Sequence, residues 1–233
     1  IPTKTLIHES EISTLLYHND FDKQSNMYRQ AIARKNKLTS FLRENNYEKL
    51  SKRPNVTIYT GKGSLVSANT VKVALPEEEI ELQGKEIFIN TGSTPIIPSI
   101  EGIQQSRNVY TSTTLLELDI LPKHLIIVGG GYIGLEFASM YAGFGSKVTL
   151  LEAGNRFMPR NDSDIAKSVR EVMEKKGVEI RLNVRTQSIH DTHDGVTLTY
   201  SDTSDGTSRD TAKTDASAED ITIYHADDGT PLT

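Results

Sequence analysis

Apolar residues recur at helical spacing in the first part of the chain. Leu6, Ile7, Ile12, Leu15 and Leu16 predict a helix over residues 4–16. Met27, Tyr28, Ala31, Ile32, Leu38, Phe41, Leu42 and Leu50 predict a longer amphipathic helix over 22–50. Arg29, Arg34, Lys35, Lys37 and Arg43 fall between them and read as its solvated face. Pro54 and Asn55 end it. Short β-type runs follow at 56–59, 71–74, 80–82 and 87–89, broken by Gly61, Gly63, Asn69, Pro76 and Gly84. They predict a small antiparallel meander. Residues 91–102, with Pro95 and Pro98, read as a linker.

From residue 124 the pattern changes to strand and helix in alternation. Residues 125–128 are a fully apolar strand, 132–141 a helix and 148–151 a second strand. Asp162 or Ser163 caps a further helix, with Ile165, Val169, Val172 and Met173 directed inward and Gly177 as its stop. Residues 178–182 form a third strand. This β-α-β-α-β order implies an α/β class with a parallel sheet. Ser, Thr and Asp fill 13 of the 20 positions in 201–220, where nothing apolar exceeds Ala. Such a segment cannot offset its ordering entropy by burial, so it reads as a mobile loop or insertion. Residues 196–200 and 221–224 flank it as expected hairpin strands.

Composition narrows the function classes. The 233 residues carry 26 Lys and Arg against 31 Asp and Glu, a formal charge of −5. The acidity lies in 201–233, with eight acids against two bases, while 1–200 hold 23 acids and 24 bases. This argues against nucleic acid as a partner. No apolar run approaches the roughly 20 residues of a membrane helix, and the start lacks a signal-peptide pattern. The chain is therefore expected to be cytoplasmic, without a membrane partner. It has no cysteine, which excludes a disulfide, a thiolate metal site and a cysteine nucleophile within these residues. The six histidines (8, 18, 124, 190, 193 and 225) show no metal-ligand spacing, so no metal is expected.

The densest chemical signal runs from Leu125 to Glu136. It contains Gly129-x-Gly131-x-x-Gly134, directly after one strand and opening a helix. Gly129 permits the tight turn, Gly131 lets the backbone approach a pyrophosphate, and Gly134 lets helix pack close on strand. The helix N-terminus offers free N–H groups and a positive dipole end to phosphates. Glu152 stands 23 residues after Gly129 at the end of the next strand, placed to accept both adenosine ribose hydroxyls. A carboxylate there repels a 2′-phosphate, which favours NAD over NADP, although Arg156 and Arg160 are close in sequence.

Residues 121–138 resemble the second nucleotide-binding segment of the FAD-dependent pyridine nucleotide–disulfide oxidoreductases, which include dihydrolipoamide dehydrogenase, glutathione reductase and mercuric reductase. Residues 88–95 resemble that family's ATG-type segment beside the flavin, with Asn90 in place of the usual Ala. Residues 1–6 resemble the sequence directly after its second redox cysteine. Residues 56–73, with Gly61-Lys62-Gly63, resemble the loop that touches the FAD adenine. The resemblance implies that Lys4 sits beside the flavin and pairs with Glu136, both in the catalytic machinery. It implies that Tyr132 or Ile133 borders the nicotinamide pocket. Thr91 and Gly92 would line the FAD site, and Lys62 with Gly63 its adenine end.

The resemblance further implies a fragment. Residues 1–112 would be a partial FAD-binding domain with long helices, lacking its N-terminal nucleotide motif. Residues 113–233 would be an NAD-binding domain of Rossmann type, incomplete at its end, where a last strand should still follow. The complete protein would carry FAD and form a homodimer. It would pass hydride from NADH through FAD to a redox disulfide and then to an acceptor, small molecule or disulfide, that these residues do not define. The alternatives are a fragment of an NADH oxidase or peroxidase, or a nucleotide-binding module without catalysis.

Overall fold

The computed structural model describes residues 2–193, 195–202, 209–215 and 221–224, the last two stretches as backbone. Two compact units emerge: Ile1–Asn36 with Pro95–Thr233, and Lys37–Thr94. The division differs from the boundary expected at 112/113. Helix α1 (Pro2–Tyr17) and the first half of α2 (Phe21–Ser51) belong with the larger unit.

In the larger unit, β4 (Val109–Thr111), β5 (His124–Val128), β6 (Lys147–Leu151), β7 (Val178–Arg181) and β11 (Ile221–Tyr224) form one parallel sheet. Its order is β4-β11-β5-β6-β7. Helices α3 (Tyr132–Gly143) and α4 (Ser163–Lys175) connect β5 to β6 and β6 to β7. A second, antiparallel sheet of β8 (Val184–Thr192), β9 (Gly195–Asp202) and β10 (Arg209–Asp215) has the order β10-β9-β8.

Two readings of the sequence are corrected here. Residues 221–224 do not close a hairpin on 196–200. They run parallel between β4 and β5, pairing Ile221 with Leu125 and Thr222 with Val109. The parallel sheet thus holds a fifth strand that the sequence reading did not place there. Inside the segment read as a loop, residues 209–215 form β10, paired antiparallel with β9 and with Lys213 opposite Thr199. Only Thr211 and Thr214 of these seven residues are β-branched, so the strand rests on backbone pairing with β9, which no apolar alternation signals. Positions 203–208 and 216–220 of that expectation lie outside the described residues.

The alternation of side chains sorts the sheet's two faces. Leu125, Ile127, Val148 and Leu150 point to the helices, where Phe137, Ala138, Met140, Tyr141 and Phe144 join them. Ile126 and Leu151 point to the other face and meet Ile189, Val196 and Leu198 of the antiparallel sheet. Helix α1 adds Leu6 to the helical side, and α2 adds Tyr28, Ala31 and Ile32. Tyr28 donates its hydroxyl to the Leu118 carbonyl at 2.9 Å and lies 2.8 Å from the Tyr141 hydroxyl. Burial pushes the Tyr28 phenol up to about 12.

Lys35, read as solvated, is buried. Its Nζ donates to the Leu116 carbonyl at 2.7 Å and lies 3.8 Å from Glu117. The helical period places Lys35 beside Ala31 and Ile32, and its long stem covers apolar surface while the ammonium finds a carbonyl. Ile165 and Val172, expected inward on α4, are half exposed, and Ala166 is the buried position.

The smaller unit pairs β1 (Lys62–Ser67), β2 (Thr70–Ala74) and β3 (Glu79–Gln83) as an antiparallel meander. The meander is as expected, and the runs at 71–74 and 80–82 are its β2 and β3, but its first strand lies elsewhere. Residues 56–59 and 87–89 are not strands, and β1 runs through Gly63. Every β1 residue is exposed, so no alternation marked it. At Gly61 the backbone lies so close to the Ala74 carbonyl that a Cβ would stand 2.4 Å from it. Phe41, Leu42 and Leu50 on the α2 segment of this unit are exposed rather than core.

One polar cluster in the larger unit has a consequence for pH. Thr149 donates to Glu179 at 3.2 Å, so His124 Nε2–H donates to Thr149 at 3.0 Å. Burial, and then the Lys147 cation, hold the His124 imidazole down to about 4; Glu179 opposes this and Arg181 adds to it. The unfolded chain takes up that proton near 6.5, the folded one only near 4. Stability from this group is therefore complete above 6.5 and lost as pH falls toward 4, by at most about 1.4 kcal/mol per pH unit. Thermal melts from pH 7 to 4.5 should show a flatter decline for His124→Asn than for the parent chain. Parallel declines would contradict this.

Candidate dinucleotide-binding site

Strand β5 is buried almost throughout and delivers its last residue to the turn Gly129–Gly131. Gly129 takes φ +110°, a conformation open to glycine, and donates its N–H to the Leu151 carbonyl at 2.8 Å. Helix α3 then rises against the strand. A Cβ on Gly134 would stand 2.4 Å from the Gly129 carbonyl oxygen and 3.3 Å from Ile127 Cγ2. Gly131 is the N-cap and supplies no side-chain cap. The first helical bond at this end is Leu135 N–H to the Gly131 carbonyl at 3.0 Å, so the N–H groups just before it are left for an anion.

Glu152 follows β6 directly. Its Oε2 accepts from Gly130 N–H at 2.8 Å and its Oε1 from Gly154 N–H at 2.6 Å. Its backbone is fixed as well, donating to the Arg181 carbonyl at 2.9 Å and accepting from Val184 N–H at 3.0 Å. A carboxylate has about four acceptor positions. Two are used to aim the group and two are left for hydroxyls. Glu152 and the glycine turn therefore form one unit, with the anion-binding helix end on one side and an oriented carboxylate on the other.

The remaining sequence-predicted residues fall as follows. Tyr132 and Ile133 open α3 and are exposed, 62% and 37%. The Tyr132 hydroxyl donates to Asn161 Oδ1 at 2.9 Å. Lys4 lies exposed in the first turn of α1 and Glu136 exposed on α3. The two helices pack together, with Thr14 Oγ1 donating to the Gly143 carbonyl at 2.7 Å. Among the described residues no ion pair joins Lys4 to Glu136. Lys62 and Gly63 on exposed β1, and Thr91 with Gly92 in irregular, exposed chain, belong to the smaller unit. Gly92 takes φ +74°, with open space where a Cβ would be.

Among the described residues no cluster of His, Asp or Glu could hold a metal, and no helix is long and apolar enough to cross a membrane. Sequence reasoning missed Gly130 and Gly154 as the donors that aim Glu152, and Asn161 as the partner of Tyr132. A donor backbone leaves no trace in residue type. The signal available for Asn161 was a short polar side chain immediately before the N-cap of α4.

The sequence model described as pyridine nucleotide-disulphide oxidoreductase matches residues 1–216. The chain is 44% identical over 189 residues to the probable pyridine nucleotide-disulfide oxidoreductase RclA of Escherichia coli strain K12, covering 81% of this chain and 40% of that protein. It is 32% identical over 205 residues to a dihydrolipoyl dehydrogenase of Chlamydia muridarum, covering 85% and 44%. Its structure superposes with a TM-score of 0.82 on the Cu(II) complex of the HOCl-induced flavoprotein disulfide reductase RclA from Escherichia coli. That pair shares 38% identity and covers 97% of this chain and 46% of the other. The chain spans less than half the length of these relatives. On the match across residues 1–216, the chain belongs to the pyridine nucleotide-disulphide oxidoreductase family.

Proposed function

We propose that these residues bind NAD(H) in an oxidoreductase that passes hydride from NADH by way of FAD to a redox disulfide and onward to an acceptor. The observation that carries the nicotinamide part is the Glu152 carboxylate, which is held by two backbone N–H groups and has no further partner among the described residues. That arrangement suits a ribose with both hydroxyls and opposes a 2′-phosphate, which favours NAD(H) over NADP(H). The N–H groups of Tyr132, Ile133 and Gly134 hold the pyrophosphate, and Tyr132 or Ile133 borders the nicotinamide.

FAD supplies the two-electron chemistry when bound. Within this chain the fit is partial. Gly92 and the backbone of Lys62 and Gly63 offer close approach, and Thr91 offers a hydroxyl. Lys4 on α1 and Glu136 on α3 lie on helices that pack together, and their proposed work is to hold a charge beside the reacting ring. Residues 1–112 then serve the flavin and 113–233 the dinucleotide. The complete protein is proposed to be a cytoplasmic homodimer.

Calorimetry on the 233-residue chain tests the dinucleotide reading. NADH should bind at one site per chain and more tightly than NADPH. Absence of saturable NADH binding would overturn it, and tighter binding of NADPH would overturn the cofactor preference.

A further inference from the structure

The loop between β6 and α4 is fastened at three places. Its start is held by five bonds: Glu152 to Gly130 and Gly154, Glu152 N–H to Arg181, Val184 N–H to Glu152, and Asn183 N–H to the Gly154 carbonyl at 3.0 Å. Its middle is anchored by Phe157, which is 7% exposed and packs in the helical core. The far side is a tight reversal, with Met158 at φ +48° and Asn161 N–H donating to the Met158 carbonyl at 3.0 Å. That far side is tied to the glycine turn by Tyr132 Oη–H, which donates to Asn161 Oδ1 at 2.9 Å.

We infer that Asn161 is a positioning residue of the dinucleotide site. Its side chain closes a clasp on Tyr132, so that Gly130 and Tyr132 hold the loop at both its start and its end. This rests on the proposal that the dinucleotide lies across the turn and Glu152. The loop carries Arg156 and Arg160, and the clasp keeps it at a fixed distance from the helix N-terminus before any ligand arrives. Tyr132 is held to one side by its own hydroxyl, which restricts a large exposed ring beside the phosphate-binding N–H groups. Ordering both groups in advance removes that cost from binding. The left-handed Met158 backbone is held by the Asn161 main-chain N–H, which Asn161→Ala leaves in place, so the variant removes the side-chain clasp alone.

The test is a double-mutant cycle on NADH affinity in the 233-residue chain, with Asn161→Ala, Tyr132→Phe and the pair. Each single change should weaken NADH about fivefold, the worth of one neutral hydrogen bond. The double variant should be no weaker than either. Trypsin cleavage after Arg156 and Arg160, followed by mass spectrometry, should accelerate in both single variants while melting temperatures stay together. Bound NADH should slow it in the parent chain. Unchanged NADH affinity, multiplicative losses in the double variant, or unchanged cleavage would each overturn the clasp while leaving the dinucleotide site intact. Absence of NADH binding by the parent chain would overturn both.

Discussion

Gly134→Val is expected to cost about 3 kcal/mol of folding stability, the upper end for overpacking a close-packed site. The reason is local and steric. The Cβ position of residue 134 lies 2.4 Å from the Gly129 carbonyl oxygen, which is backbone and cannot turn aside. The same Cβ would press on Ile127 Cγ2 at 3.3 Å. Relief requires α3 to retreat from β5. That retreat loosens Phe137, Ala138 and Tyr141 from the core they share with Leu125 and Ile127. It also moves the helix N-terminal N–H groups proposed to hold the pyrophosphate. In a chain of this size the loss corresponds to a melting temperature lower by roughly 6–12 °C. Gly134→Ala places the same first carbon with nothing beyond it, so it should fall between parent and Val. A Val variant that melts within about 2 °C of the parent would show that helix and strand do not depend on this contact.

The parallel core of this fold was legible because burial on both faces of a sheet leaves a simple mark. Residues 125–128 are apolar without interruption, and a strand so placed must be central. The helix after it and the strand at 148–151 carried the rest. Strand β11 was misread because Ile221–Tyr224 follows a Ser, Thr and Asp-rich segment. Local order suggests a hairpin, and only the vacant sheet position between β4 and β5 assigns it a parallel partner. Lys35 was misread for a related reason. Charge predicts exposure, but the Leu116 carbonyl that receives its ammonium lies 81 positions away. In α4, Ile165 and Val172 fit the apolar stripe by spacing, yet the buried contact is made by the smaller Ala166. A small residue lets the helix approach closely, and hydropathy does not register that.

The site divides along the same line. Gly129 and Gly134 are legible from residue type, because left-handed backbone at the one and a missing Cβ at the other exclude other side chains. Gly131 takes an ordinary extended conformation, and its role and that of Glu152 toward a dinucleotide are proposals. Tyr132 was read from family resemblance, and its partner Asn161 was not read at all, since many residues tolerate a place before an N-cap. The donors of Gly130 and Gly154 to Glu152 are main-chain groups, so only the folded geometry displays them.

Those two donors set what the loss of Glu152 should do. Glu152→Ala is expected to weaken NADH by about 10- to 100-fold, the range for hydrogen bonds to a charged group. NADPH should lose much less, because removal of the carboxylate also removes its repulsion of the 2′-phosphate. The ratio of the two dissociation constants, NADPH over NADH, should therefore fall at least about tenfold. The ratio separates recognition from damage. Gly130 and Gly154 lose an acceptor in the variant whichever cofactor is offered, so any general loosening of the turn reduces both affinities alike and cancels. Glu152→Gln keeps one carbonyl acceptor but carries no charge. It can serve one of the two backbone donors and offers the ribose an N–H where a lone pair stood. It should relax the preference for NADH nearly as far as Ala while disturbing the turn less. Calorimetry of parent, Ala and Gln variants with both cofactors supplies all six constants. Equal losses for NADH and NADPH would mean that Glu152 braces the loop without reading the ribose, and the preference for NAD(H) would then have to come from elsewhere in the site.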